Sequence, residues 1–295
     1  MSTIIDLVDT PLTRSEHEES FKDVPRLSTI QAIILVLKAR ESSPKRGYYY
    51  RSWMTVVNLV AMAKDLELHE HFENHQMGIP CNSSASECLI KTRVWQTLFT
   101  LEINVGGAQG RFDFGVRQET VDFGVPMSLP GIDDVELQTS RQFAYFLRVT
   151  KNISDTNALL GRLRKKRKDW AIDLEYIAHN KDFVSWNREL PADLQVILPE
   201  DGTLPWIPSH VVANLHVYHY LALMMHHRPQ MLTLSAMHDP SWKQHMAICY
   251  NAAKNMCRLQ EAVLRDCGMA GLVCMQRGVS FSIYCILTCL SLIHI

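Results

Sequence analysis

The chain has 295 residues, 47% of them hydrophobic, and a formal net charge of -1 at pH 7. This length and composition allow one large core or two smaller ones without help from metals or disulfides. The near-neutral charge excludes a global positive field that would draw the whole surface onto DNA or anionic lipid, so any nucleic-acid contact would be local.

The cysteines favour a reducing compartment. Residues 1–20 are acidic and polar and have no apolar segment of the kind that a signal peptide needs. No C-x2-C pair occurs, so the spacing gives no support to a zinc site. We therefore expect free, largely buried thiols. The eight are Cys81, Cys88, Cys249, Cys257, Cys267, Cys274, Cys285 and Cys289.

Residues 1–27 show no sustained period and predict a disordered leader, followed by one ordered domain over residues 28–295. Ser28 and Gln31 have the spacing of a capping box, which predicts a first helix. A second helix is expected from Tyr49 to Leu68. Its predicted buried face carries Trp53, Val57, Val60 and Ala61.

Ser84 and Glu87 form a second capping box, which predicts a helix that continues to Val105. Gly106 and Gly107 would end it by adopting positive φ angles. The glycine-rich segment up to Arg111 follows a helix rather than a strand, so we interpret it as a helix stop and not as a phosphate loop.

The rest of the chain predicts an extended connection and further helices, with no strand of period two. The fold class is therefore all-α, a multi-helix domain. The expected helices are Asp133 to Val149, Asp155 to His179, Ser209 to His227 ended by Pro229, and Asp239 to Cys267 ended by Gly268.

Two groups of histidines have spacings that metal sites use. His216, His219, His226 and His227 share one predicted helix, but that helix offers no carboxylate or cysteine, so partly exposed or hydrogen-bonded histidines are favoured over a metal-binding protein.

His71 and His75 have the spacing of a zinc protease, but Glu73 is not adjacent to the first histidine. No G-x-S-x-G elbow occurs either. We therefore expect no enzymatic activity, and neither a metal nor a cofactor in this chain.

Six cations stand within seven residues. This basic run would serve nuclear import or a contact with nucleic acid or lipid, and the alternative is a solvated helix face. Its members are Arg162, Arg164, Lys165, Lys166, Arg167 and Lys168.

The apolar stretch Gly278 to Ile295 reaches the length at which a membrane span has to be considered. Its serines, its threonine and the lack of a basic flank favour a buried helix, so no membrane is expected. A membrane-anchored helical protein is the alternative.

Several short motifs stand in an order that resembles the regulatory middle homology region of fungal zinc-cluster transcription factors, also described as the fungal-specific or xylanolytic-activator regulatory domain. Together they cover about residues 28–270. The motifs are Trp53-Met54, Ala61-Met62-Ala63, Asp65 to His69, Arg93-Val94-Trp95, Leu101-Glu102, Gly110-Arg111, Val121-Asp122, Val125-Pro126, Trp186, Glu189 to Pro191, Leu215 to His219, Leu223 to Pro229, and Cys249 to Ala253.

This resemblance implies a nuclear regulatory domain that controls transcription by RNA polymerase II. It implies co-regulator proteins and a small effector as partners, and an effector cleft that we expect among Trp53, Trp95, Arg111, Tyr218 and His219. The alternative is that these five side chains belong to the core.

The sequence departs from the family in several places. Glu102 stands where an aspartate is usual, and Phe112 replaces the proline of Gly-Arg-Pro. The family also implies DNA binding through a six-cysteine cluster that holds zinc, and this sequence contains no such cluster. We therefore expect a domain truncated at both ends.

Overall fold

The computed structural model describes residues 24–41, 46–107, 110–111, 114–166, 170–274 and 287. Helices dominate these residues, and no strand occurs among them. The prediction of an all-α fold is confirmed.

The chain divides into two compact units, an N-terminal unit (Met1–Arg141) and a C-terminal unit (Gln142–Ile295). The sequence had indicated one domain over residues 28–295 after a leader over residues 1–27. Most of that leader lies outside the described residues, and the first helix begins at Leu27. The leader and the single domain stay predictions.

The N-terminal unit is built around one long helix whose start was predicted correctly. Ser84 Oγ accepts from the backbone N–H of Glu87, and the Glu87 carboxylate accepts from the Ser84 N–H, so the expected capping box is present. This satisfies two donors that the first turn leaves free. The helices of this unit are α1 (Leu27–Glu41), α2 (Tyr48–Asp65), α3 (His71–Gln76) and α4 (Ala85–Leu101), and α4 runs on into a π-helical turn (Glu102–Gly106).

Helix α2 buries a face that is rotated from the predicted one. Trp53 and Val60 are buried as expected, but Val57 is 37% exposed and Ala61 is exposed. The buried positions instead include Val56, Leu59 and Ala63 at spacings of three and four. Several apolar residues of α2 lie outside the buried stripe, so periodicity alone did not fix its centre.

The end of the α4 segment is also different from the prediction. Gly107 has a φ of -57°, and positive φ occurs later, at Gly110 (φ 68°). Gly106 is needed for space, because a Cβ there would lie 2.7 Å from ring atoms of both Trp53 and Phe114. A bulkier residue would push the turn away from these rings.

Helix α5 (Asp134–Lys166) is continuous where two helices were expected, and it contains the boundary between the units. The sequence predicted a break between two helices after Val149. These residues are helical instead, because their polar side chains have hydrogen-bond partners. Thr150 is fully buried, and its hydroxyl donates to the Phe146 carbonyl. The Asn152 amide donates to the Asp182 carbonyl.

The helical stretch predicted from Asp155 to His179 is not one helix. After α5 the chain forms a 3-10 turn at Trp170–Ile172 and then two short helices. Asp173 caps the first of them by accepting from the Glu175 N–H at 2.9 Å. The short helices are α6 (Leu174–Ala178) and α7 (Asn180–Glu189).

Helix α8 (His210–Ala236) passes through Pro229, which was expected to end it. A proline inside a helix costs about 3 kcal/mol. Buried contacts on both sides offset this cost, because the Tyr176 hydroxyl donates to the His226 carbonyl at 2.8 Å and the Gln230 amide donates to the Ala171 carbonyl at 2.9 Å.

Helix α9 (Trp242–Cys274) packs along α8 and is interrupted at Gly268, whose φ is 62°. The interruption lies where the sequence placed the end of the helix. Its start is later than expected, because Asp239 accepts from the Ser241 N–H and closes a turn ahead of the helix.

No helix in the described part of the chain is long and apolar enough to cross a membrane. The stretch Gly278 to Ile295, on which the membrane alternative depends, lies outside the described residues apart from Leu287.

Candidate functional site

The five residues of the predicted effector cleft fall in both units. Trp53, Trp95 and Arg111 lie in the N-terminal unit, and Tyr218 and His219 lie in the C-terminal unit. A single cleft shared by all five stays a prediction.

Arg111 lies over the indole ring of Trp53. Its guanidinium carbon is 4.8 Å from the ring centroid, within the range of a cation–π contact. Trp53 itself is only 4% exposed. The Arg111 Nε is buried and has no hydrogen-bond partner among the described residues. Arg111 as a whole is only partly buried.

Glu102 holds the segment that follows Arg111. The side chain is 2% exposed, and its two carboxylate oxygens accept from the backbone N–H groups of Gly115 and Val116, each at 2.8 Å. Such charge-assisted bonds offset the cost of burying a carboxylate. In the sequence, Glu102 stands out only as a departure from the family pattern, which predicts no role for it.

Two further side chains of α4 bind the next part of the same segment. The indole N–H of Trp95 donates to Thr120 Oγ1 at 3.0 Å, and the Gln96 amide donates to the Asp122 carbonyl at 2.7 Å. We call this set of residues the signature corner. It comprises Trp53, Trp95, Gln96, Glu102, Arg111, Gly115, Val116, Thr120 and Asp122.

The two remaining cleft residues lie in the core of the C-terminal unit. Tyr218 is 1% exposed and meets Phe146 edge to face, with ring centroids 4.7 Å apart. His219 is stacked on Trp186 with centroids 4.4 Å apart and an interplanar angle of 15°. Trp186 is fixed in turn, because its indole N–H donates to the Tyr145 carbonyl at 2.9 Å.

The four predicted histidines of α8, His216, His219, His226 and His227, are buried and not partly exposed, but His216 and His227 have hydrogen-bond partners, as the other arm of the expectation allowed. His216 Nε2 is 2.9 Å from the Leu194 carbonyl oxygen, and His226 is stacked on Tyr176 with centroids 4.3 Å apart. Among the described residues they do not bring three metal-ligand atoms together.

Burial keeps these imidazoles neutral. Loss of hydration lowers the pKa of His219 to about 3, and nearby His216 lowers it further. The same cause, with His227 and other histidines nearby, lowers the pKa of His226 to about 2. The pKa of His227 falls to about 4 through burial and through His245. A low-dielectric core disfavours the charged form in each case.

The basic run is described only in part. Arg162, Arg164 and Lys165 are exposed on the last turns of α5, and Arg162 forms an ion pair with Glu175. Nothing is described of the Lys166 side chain, and Arg167 and Lys168 lie outside the described residues. Roles in nuclear import or in basic contacts stay predictions.

The structure also brings together residues that the sequence analysis had kept apart. One ligand atom each of His71, His75 and Cys81 lies within 4.8 Å of the others. Cys88 joins them, with its sulfur 3.0 Å from that of Cys81. The sequence signal was the pair of histidines at i and i+4, but the cysteines come from a loop and another helix.

The thiols of this cluster differ in acidity. A hydrogen bond from Cys88 lowers the pKa of Cys81 to about 7. Burial is the largest of the effects that raise the pKa of Cys88 to about 11. Of the two, Cys81 is therefore the sulfur that ionises first.

Comparisons of the chain with protein-family models, with curated proteins and with solved structures each found no match.

Proposed function

We propose that this chain is the regulatory domain of a zinc-cluster-type transcription factor, of the kind it resembles in fungi, and that it controls transcription by RNA polymerase II in the nucleus. It acts by binding, not by catalysis. Its partners are transcriptional co-regulator proteins and a small effector, and DNA is read by the zinc cluster of the parent family, which this sequence does not contain.

One observation carries the proposal. Five of the motifs of the family resemblance, from Trp53-Met54 to Val121-Asp122, come from separate segments, and each contributes a residue to the signature corner. Trp53 contacts Arg111, and Glu102 binds the segment just beyond Arg111. Trp95 and its neighbour Gln96 bind Thr120 and Asp122. Motifs that stand in a fixed order along a chain are expected to lie close together in the folded protein, as these do.

The corner suggests how a ligand acts. A few side-chain bonds from α2 and α4 hold the segment from Arg111 to Asp122. A partner that binds the corner in only one of two arrangements shifts the balance between them by its difference in affinity. Arg111, which as a whole is only partly buried, offers its guanidinium to a carboxylate or carbonyl of such a partner.

The experiment is a reporter assay. The full chain is fused to an unrelated DNA-binding domain and an activation segment, and expressed in a fungal host. We expect reporter output to differ several-fold from that of the fusion without the chain. Arg111→Ala should shift the output toward that of the bare fusion.

Arg117→Ala is the matched control, because it removes an equal charge from an exposed position of the same segment. It should behave as the wild type. Equal output with and without the chain, or equal effects of both variants at matched protein levels, would contradict the proposal.

A further inference from the structure

A second site is present in the N-terminal unit, away from the contacts of the signature corner. Helix α3 carries His71 and His75 one turn apart, with ring centroids separated by 4.5 Å. The loop after α3 supplies Cys81, and the first turns of α4 supply Cys88. We call these four residues the His/Cys cluster.

The distances among His75, Cys81 and Cys88 are close to those of a tetrahedral metal site, and a ring nitrogen of His71 lies within 4.8 Å of the ligand atoms of His75 and Cys81. His75 Nε2 lies 3.2 Å from the Cys81 sulfur and 3.8 Å from the Cys88 sulfur, and the two sulfurs are 3.0 Å apart. With zinc bonds of about 2.3 Å to sulfur and about 2.1 Å to nitrogen, ligand atoms are separated by about 3.3 to 3.8 Å. Moving the sulfurs apart by less than about 1 Å would admit an ion.

Two cysteines this close would also form a disulfide under oxidising conditions, but both are free thiols in this structure, and the test below keeps the chain reduced. Two imidazoles beside two thiols are, in contrast, a ligand set that soft or borderline transition metals prefer over magnesium or calcium.

The surrounding backbone places the ligands. Gly78, with a φ of 71°, turns the chain after α3, and the Ile79 N–H donates to the Asn74 carbonyl at 2.9 Å. The capping box at Ser84 fixes the start of α4, so the position of Cys88 in its first turns is set. Ligands that neighbouring bonds hold in place lose less entropy when a metal binds.

We propose that His71, His75, Cys81 and Cys88 form a four-ligand binding site for a transition metal of the zinc class. The site is structural, because the protein supplies all four ligands and leaves no open position for a substrate. The metal would fasten α3 and its loop to the start of α4. Exposed His75 provides the route of entry.

The test uses the full chain, kept reduced and freed of metal by a chelator. Titration with Co²⁺ should give a single equivalent bound, with sulfur-to-cobalt charge-transfer absorption and the intense visible bands of tetrahedral Co²⁺. Zn²⁺ should then displace the Co²⁺ and abolish this spectrum. Cys81→Ser should weaken Co²⁺ binding at least about tenfold.

Cys274→Ser is the matched control, because Cys274 is exposed and outside the cluster. It should leave the titration unchanged. A second readout needs no variant: Zn²⁺ should protect Cys81 and Cys88, but not Cys274, from alkylation. The proposal is overturned if the Co²⁺ spectrum lacks thiolate absorption, or if Zn²⁺ protects none of these thiols. Neither readout depends on transcription, so this site and the proposed function fail separately.

Discussion

Two sets of buried polar side chains, one in each unit, have different kinds of partner. In the N-terminal unit Glu102, Trp95 and Gln96 reach from one helix to a neighbouring segment, and each has hydrogen-bond partners there. In the C-terminal unit the buried histidines His219 and His226 mainly meet aromatic rings. The first arrangement holds a segment that has little secondary structure, whereas the second fills a core with groups that can titrate.

This difference implies that the two units respond to different perturbations. The signature corner depends on individual bonds, so removing one side chain should loosen one segment. The histidine core depends on neutral imidazoles, so acidification should act on the whole C-terminal unit. Four predictions test whether the two units differ in this way.

The largest expected effect is that of pH on the C-terminal unit. His219, His226 and His227 have folded-state pKa values of about 3, 2 and 4, all below the ordinary histidine value of 6.5. The unfolded chain therefore binds more protons, so stability is complete above about pH 6.5 and is lost as pH falls. At pH 5.5 the loss is about 1.4 kcal/mol per histidine and about 4 kcal/mol for the three.

Urea denaturation at pH 7.5 and pH 5.5 measures this loss. The variant His226→Phe replaces the imidazole with a ring that can still stack on Tyr176. In this variant the difference in the free energy of unfolding between pH 7.5 and pH 5.5 should be smaller by about a third. If this difference in free energy is unchanged in the variant, protonation of His226 does not contribute to the loss of stability at low pH.

The next effect concerns the buried carboxylate of the signature corner. Glu102→Ala leaves the N–H groups of Gly115 and Val116 without their acceptors and should lower the free energy of unfolding of the N-terminal unit by about 3 kcal/mol. Glu119→Ala, at an exposed position, is the control. Equal denaturation midpoints for the two variants would refute the role given to Glu102.

A smaller loss of stability is expected from Gly106→Ala. The added Cβ would lie 2.7 Å from Trp53 and Phe114, and overpacking of this kind costs about 2 kcal/mol. Gly107→Ala adds the same methyl group one residue later, where nothing lies within 4 Å. Thermal melts should separate the two variants, and a stable Gly106→Ala protein would mean that the corner is less tightly packed than described.

The smallest effect is that of Trp95→Phe, which removes the hydrogen bond to Thr120 and keeps most of the ring. We expect a loss of about 1 kcal/mol. Trp206→Phe, at a position that is 74% exposed, should change the stability very little. Chemical denaturation with matched protein concentrations distinguishes these outcomes.

One local signal was read correctly from the sequence. The capping box at Ser84 and Glu87 depends on residues three apart, and it was found where expected. The continuity of α8 through Pro229 depends on contacts with Tyr176 and Ala171, which lie far away in the chain. Tertiary contacts of that kind outweigh a local proline signal, and the hydrophobic periodicity of the sequence does not predict them.

The candidate sites were also predicted only in part, because some of their residues come together through tertiary contacts. The family-like motifs pointed to Trp53, Trp95 and Arg111, but the role of Glu102 became visible only through its bonds to Gly115 and Val116. The His/Cys cluster was missed because its ligands come from a helix, a loop and a second helix, at spacings that no short motif describes.

The proposed role of this chain in regulating transcription is tested most directly by one measurement. Nascent RNA polymerase II transcripts are recorded in the cells that produce the protein, shortly after its rapid depletion. The account predicts that a defined set of transcripts changes promptly, and that the wild-type chain restores them whereas Arg111→Ala at equal abundance does not. Unchanged nascent transcription after depletion would contradict it.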